Sequence, residues 1–107
     1  MSETISKCKI TVVKKLLNDD LAKNFLDLQY QNISVCDRFE LDQEFIITDP
    51  TKPPDGFCEW AWADIRNDIL IVGSGGNPPG LKKEGSIISG CTDWFRPVYF
   101  LIERVSN

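Results

Sequence analysis

The stretch Gly56–Phe57–Cys58–Glu59–Trp60–Ala61–Trp62–Ala63–Asp64 constrains this chain more than any other, because it holds two of its three tryptophans and Ile65 to Val72 extend it as an apolar run. On a helix, residues three or four apart lie on one side, so Cys58, Trp62, Ile65 and Ile69 form an apolar face. That face must be covered, and only a sheet built from the rest of the chain is apolar enough to do it. The spacing predicts a helix starting near Phe57 or Cys58, capped by Asp55 and running to about Leu70. The β-branched residues of Ile69–Val72 are able to fray into an extended segment. Gly73–Ser74–Gly75–Gly76–Asn77–Pro78–Pro79–Gly80 follows the helix and therefore reads as its C-cap and turn. A phosphate-cradling loop would precede a helix, and the order here is the reverse.

The sheet is legible on either side of that helix. Lys7–Leu17 alternates imperfectly, with Cys8, Ile10 and Val12 on one side, and its β-branched content predicts a first strand. Asn18–Asp19–Asp20 supplies short acceptors for a helix start, and a first helix is expected from Asp19 to about Leu28 with Leu21 and Phe25 in the core. Leu41–Asp42–Gln43 turns into a second strand in which Phe45 and Ile47 alternate with Glu44 and Ile46. The three prolines and the glycine of Asp49–Gly56 make a loop. Ser86–Ser89 reads as a third strand. Pro97–Val105 is the best strand in the chain, with proline at its first position, where a missing amide matters little.

The order strand, helix, strand, helix, strand, strand predicts a single α+β domain over 1–107, with 1–6 as a flexible tail. Its four-stranded sheet should be mostly antiparallel and able to curl toward a small barrel. The last two strands should pair through Gly90–Arg96. The expected core is Trp62, Ile65, Ile69, Phe45, Val98, Phe100 and Ile102.

Composition narrows function by exclusion. The net charge is −4 and Lys14–Lys15 and Lys82–Lys83 are only pairs. An acidic chain without a basic run lacks the means to neutralise phosphates, so nucleic acid is not an expected partner. Met1 to Lys7 is polar with no apolar run behind it, which predicts no export signal, and no apolar run approaches a membrane span. A cytoplasmic location is therefore expected, where Cys8, Cys36, Cys58 and Cys91 would stay reduced. No C-x-x-C pair exists. The chain has no histidine. Ser–His and Cys–His nucleophile pairs within one chain are thereby removed.

The remaining chemistry lies in a few side chains. Cys36, Cys58 and Cys91 are either small buried hydrophobes or a thiolate site. A zinc site would need long spacings and a fourth ligand from Asp64, Asp93 or Cys8, so no metal and no cofactor is expected. Trp60 lies two residues from Trp62 and so faces away from the core, with Asp64 on its side. Asp93 and Arg96 form either a local ion pair or a fork for a ligand carboxylate or phosphate with an acid beside it. The sequence thus predicts a binding or accessory domain without catalysis of its own. Cys58, Trp60, Asp64, Cys91, Asp93 and Arg96 would line a groove for a small molecule or a protein partner. The alternative is a thiol-dependent redox enzyme or metal-binding protein using Cys58 and Cys91. Cys58 and Asp64 are separated by about 9 Å along a helix axis, so a pocket joining both must be elongated.

Gly56–Phe57–Cys58–x–Trp60–Ala61–Trp62–x–Asp64, then Gly75–Gly76, then Cys91–Thr92–Asp93–x–x–Arg96–Pro97–Val98–x–Phe100–x–Ile102–Glu103–Arg104 resemble a family of small prokaryotic proteins with no assigned activity. Cys36–x–x–Phe39–x–x–x–Gln43–Glu44–Phe45 resembles it as well. The likeness covers nearly the whole chain and implies a shared fold, but it transfers no mechanism. That family tends to place proline where this chain has Asp37, and often a second cysteine where it has Gly90.

Overall fold

The computed structural model describes residues 5–105. The elements, in chain order, are β1 (Cys8–Lys15), α1 (Asp19–Phe25), a 3-10 turn (Leu28–Tyr30), β2 (Glu44–Ile47), α2 (Glu59–Gly73), β3 (Ser86–Gly90) and β4 (Val98–Arg104). The strands form one antiparallel sheet in the order β2-β1-β4-β3. The fold is α+β, as the element order predicts. The sheet stays open, with β2 and β3 as its edges, and does not curl into a barrel.

Alternation in the two central strands builds the core floor. Cys8, Ile10 and Val12 of β1 and Val98, Phe100 and Ile102 of β4 are all buried, while the residues between them are half-buried. The register places Ile10 beside Ile102 and Val12 beside Phe100. It then slips between Val12 and Lys14, leaving Val13 as an extra residue in β1. An inserted residue of this kind bends a strand and reverses which of its side chains face the core beyond it.

Helix α2 lies across this floor and buries Ala61, Trp62, Ile65, Ile69 and Val72. Phe45 is half-buried at the margin of the same cluster. Two aromatic residues outside the expected core complete it. Phe39 meets Phe57 and Phe100 edge-on, with ring centroids 5.0 and 5.2 Å apart. Offset and edge-to-face ring pairs of this kind add about 0.5–1.5 kcal/mol each beyond their buried area.

Several local expectations need correction. Asp55 does not cap α2. Gly56, at φ +80, completes a turn in which the Phe57 N–H donates to the Pro54 carbonyl, and Cys58 occupies the cap without a side-chain hydrogen bond. Ile69–Val72 does not fray, because α2 continues to Gly73 with Ile69 and Val72 buried. The helix ends where the glycine cluster was expected to stop it. The Gly76 N–H donates to the Ile71 carbonyl and the Gly75 N–H to the Val72 carbonyl, with Gly75 at φ +103. This is the Schellman pattern, which favours glycine because its first residue past the cap is left-handed.

Helix α1 departs most from expectation. It ends at Phe25, and Phe25 is 75% exposed while Leu21 is 36% exposed. Ala22 is its buried residue. Helical spacing shows which side of a helix is apolar, not that anything lies opposite. Met1–Thr4 of the expected tail lie outside the described residues. Ser6, also within the expected tail, donates its N–H to the Gly73 carbonyl at 2.9 Å. Among the described residues no helix is long and apolar enough to cross a membrane.

Candidate functional site

The start of α2 and the connection 91–97 between β3 and β4 meet at one end of the core. They enclose a pocket of about 160 Å³ together with the segment 36–39. Cys58, the cap of α2, and Trp60 and Ala61 in its first turn form one wall. Cys91, Asp93 and Arg96 form the second, and Cys36, Arg38 and Phe39 the third. Of the six residues expected from sequence, all but Asp64 line it. Cys58 and Cys91 therefore share one side of the domain, and Arg96 lies with Trp60.

Asp64 lies one turn behind and holds the opposite wall in place. Its Oδ2 accepts the Thr92 N–H at 2.7 Å and the Thr92 hydroxyl at 3.0 Å. The Thr92 Oγ1 in turn accepts the Trp60 indole N–H at 2.9 Å. Trp60 is 59% exposed, yet its ring is tethered at the pocket edge through Thr92. The distance along α2 explains why Asp64 supports the pocket rather than entering it.

The connection is fixed at every step. The Cys91 N–H donates to the Val98 carbonyl at 3.1 Å, and the Val98 N–H donates back to Cys91 Sγ at 3.4 Å. Asp93 Oδ1 accepts the N–H groups of Phe95 and Arg96, an Asx-type turn. Asp93 Oδ2 accepts from Arg96 Nε at 3.2 Å. From outside, Asn18 donates its N–H to the Phe95 carbonyl and its side-chain amide to the Trp94 carbonyl. Asn18 is thus spent on this loop and does not cap α1 through its side chain.

The charge balance of the pocket is positive. Asp93 engages only Nε of Arg96, leaving both terminal amino groups of that guanidinium without a partner among the described residues. Arg38, exposed at the rim, forms no hydrogen bond or ion pair among them. Two cations thus face one carboxylate, beside apolar surface from Phe39, Ala61 and Trp60.

All four cysteines are free. Cys36, Cys58 and Cys91 are half-buried on the pocket, but no three Cys, Asp or Glu side chains among the described residues are grouped so as to hold a metal ion. Cys8 is elsewhere, buried under α2 with its Sγ 3.9 Å from the Ile69 carbonyl oxygen. Burial pushes its thiol above the ordinary range, opposed by the nearby Arg104 guanidinium. No side chain fits at Gly90 without a shift of the backbone, because a Cβ there would approach the Val98 carbonyl oxygen to 2.9 Å.

Sequence reasoning left Arg38, Phe39 and Thr92 out of the site and did not bring Cys36 to it. Cys36 to Phe39 come from an irregular segment with no periodicity to place them. Thr92 carried a weak signal, a short hydroxyl beside Cys91 in a turn. Comparison with protein-family models, curated proteins and solved structures finds no match.

Proposed function

We propose that this chain is a small cytoplasmic binding or accessory domain, without catalysis of its own, whose pocket receives an acidic group carried on an apolar body. The observation that carries this reading is the pair of guanidinium groups, Arg38 and Arg96, with donors unengaged among the described residues, on a pocket walled by Phe39, Ala61 and Trp60. Arginine forks suit planar carboxylates, and a pocket with mostly apolar walls and few convergent polar groups is the usual form of a ligand site. The ligand belongs to a small molecule or a protein rather than to nucleic acid, since the chain itself carries a net charge of −4.

Benzoate and benzamide, which differ mainly in charge, test the proposal. Benzoate should move the Trp60 indole N–H resonance and the backbone resonances of Cys58 and Ala61, and benzamide should not. Arg38→Ala with Arg96→Ala should abolish the shifts. Equal effects of the two probes, or none from either, would end the reading.

A second reading has one observation in its favour. Three thiols border the same pocket, so a thiol-dependent redox activity using Cys58 and Cys91 has a third cysteine, Cys36, at hand. Metal binding has less support, since no three Cys, Asp or Glu side chains among the described residues are grouped to hold an ion. A single pocket thiol that reacts at neutral pH far faster than the others would favour this second reading.

A further inference from the structure

We infer that the groove on either side of Arg96 receives a segment of another protein in which an acidic side chain is flanked by apolar ones. The acid would sit on Arg96, with one apolar side chain in each of two hollows. This rests on the pocket reading above and extends it from an acidic group to a class of partner.

Asp93 and Arg96 border a second hollow as well as the first. It has a volume of about 310 Å³ and is walled by Leu26, Tyr30, Ile33 and Phe95. The Asp93–Arg96 pair is thus the boundary between two hollows, one apolar and aromatic on each side. Asp93 anchors Arg96 through Nε and through its backbone N–H, so the guanidinium is held at that boundary while its terminal donors have no partner among the described residues. Charge complementarity places an anion there, and the geometry gives that anion an apolar neighbour on both sides.

The surroundings favour a protein over a free metabolite. Trp60, on the first hollow, is 59% exposed and Tyr30, on the second, 57%, so a large aromatic ring stands open on each side of Arg96. A small metabolite seated on Arg96 would cover one of these rings and leave the other in water. Aromatic residues and arginine are enriched where proteins contact one another.

Two peptides test it on the full chain by proton–nitrogen correlation spectra: acetyl-Phe-Glu-Leu-amide and its uncharged twin acetyl-Phe-Gln-Leu-amide. The glutamate peptide should move the Trp60 indole N–H and the amides of Tyr30, Ile33 and Phe95 together. The glutamine peptide should bind at least about tenfold more weakly, as loss of a hydrogen-bonded charge implies. Arg96→Lys keeps the charge without the fork and should weaken the glutamate peptide in a chain that still folds. Shifts confined to the Trp60 side would overturn the inference and leave the pocket reading standing, whereas silence from both peptides and from benzoate would end both. Equal binding of the two peptides would overturn the inference, because an acid that contributes nothing does not sit on Arg96. A dimer that sedimentation detects and Arg96→Ala dissolves would assign the groove to a second copy of this chain and overturn the inference.

Discussion

Asp64 accepts both the backbone N–H and the hydroxyl of Thr92 on a single carboxylate oxygen, at 2.7 and 3.0 Å. A helix residue thereby fixes a loop 28 positions further along the chain, and through Thr92 it fixes the indole of Trp60. Asp64→Ala should free the loop and the ring together. The loss in stability should be small, about 0.5–1.5 kcal/mol, because the contacts are partly solvated. The Trp60 indole N–H should exchange faster with water, while Trp62, in the core, keeps its protection. Unchanged exchange at Trp60 would show that Thr92 alone suffices.

Trp62 is the largest side chain that α2 contributes to the core. Trp62→Ala should destabilise the domain by about 3–5 kcal/mol through lost burial and the cavity left behind. Urea unfolding should show this as a lower midpoint. A loss under 1 kcal/mol would mean that Phe57 and its neighbours collapse into the space.

Arg104, the last residue of β4, donates to the carbonyls of Val72 and Gly76 at 2.7 and 2.9 Å and to the Asn77 side chain at 2.7 Å. It gives the Val72 carbonyl, which already accepts from the Gly75 N–H, a second donor, ties down the Gly76 carbonyl just past α2, and places a cation where the helix dipole favours one. Arg104→Met keeps much of the stem but removes these donors. It should destabilise the chain by about 1–3 kcal/mol, and the final turn of α2 should show the largest rise in amide exchange. Uniform exchange changes along the helix would argue against a local role.

Cys8 links stability to alkaline pH. Burial raises its pKa above the ordinary 9.0, so the folded state keeps a proton that the unfolded chain has lost. In that window the folded state binds more protons than the unfolded state, and stability falls as pH rises. The contribution is intact below 9.0 and is lost as pH climbs through the folded value. The slope of the urea midpoint against pH in this range should be shallower in Cys8→Ala than in the parent. Parallel slopes would mean that other groups, the tyrosines and lysines, set the alkaline limit.

The same burial orders the thiols by reactivity. Cys36, Cys58 and Cys91 should be alkylated in the native protein, and Cys8 only on unfolding. Mass mapping after a timed pulse reads this directly. Early labelling of Cys8 would show that β1 opens locally without global unfolding.

What the sequence disclosed follows from the range of the interactions involved. Val98, Phe100 and Ile102 announce a core-facing strand because the pleat has a period of two, which is a local property. Trp62, Ile65 and Ile69 announce a buried helix face for the matching reason. Leu21 and Phe25 obey the same rule and are exposed, since their spacing carries no information on what α1 packs against. Cys58, Trp60, Cys91, Asp93 and Arg96 converge as expected because α2 and the entry to β4 were both legible. Arg38 and Phe39 were not, because their placement depends on how the 31–43 segment folds back over β1. There the Val12 N–H donates to the Gln43 carbonyl and the Asp42 N–H to the Val12 carbonyl, with Asp42 left-handed at φ +68. Only the finished sheet creates those partners.

The pairing of Cys8 with Arg104 carries a consequence for the order of synthesis. The two strands at the middle of the sheet, β1 and β4, are the first and last to be made. While the ribosome is still adding residues, β1 has only the four-residue β2 to pair with, and α2 has no completed floor. The nascent chain must therefore hold its tryptophan face open until about the last strand emerges, and then close in one late step. Long-range closure of this kind is slow and leaves apolar surface accessible meanwhile, so the protein's yield in a cell should depend on chaperones that shield nascent chains.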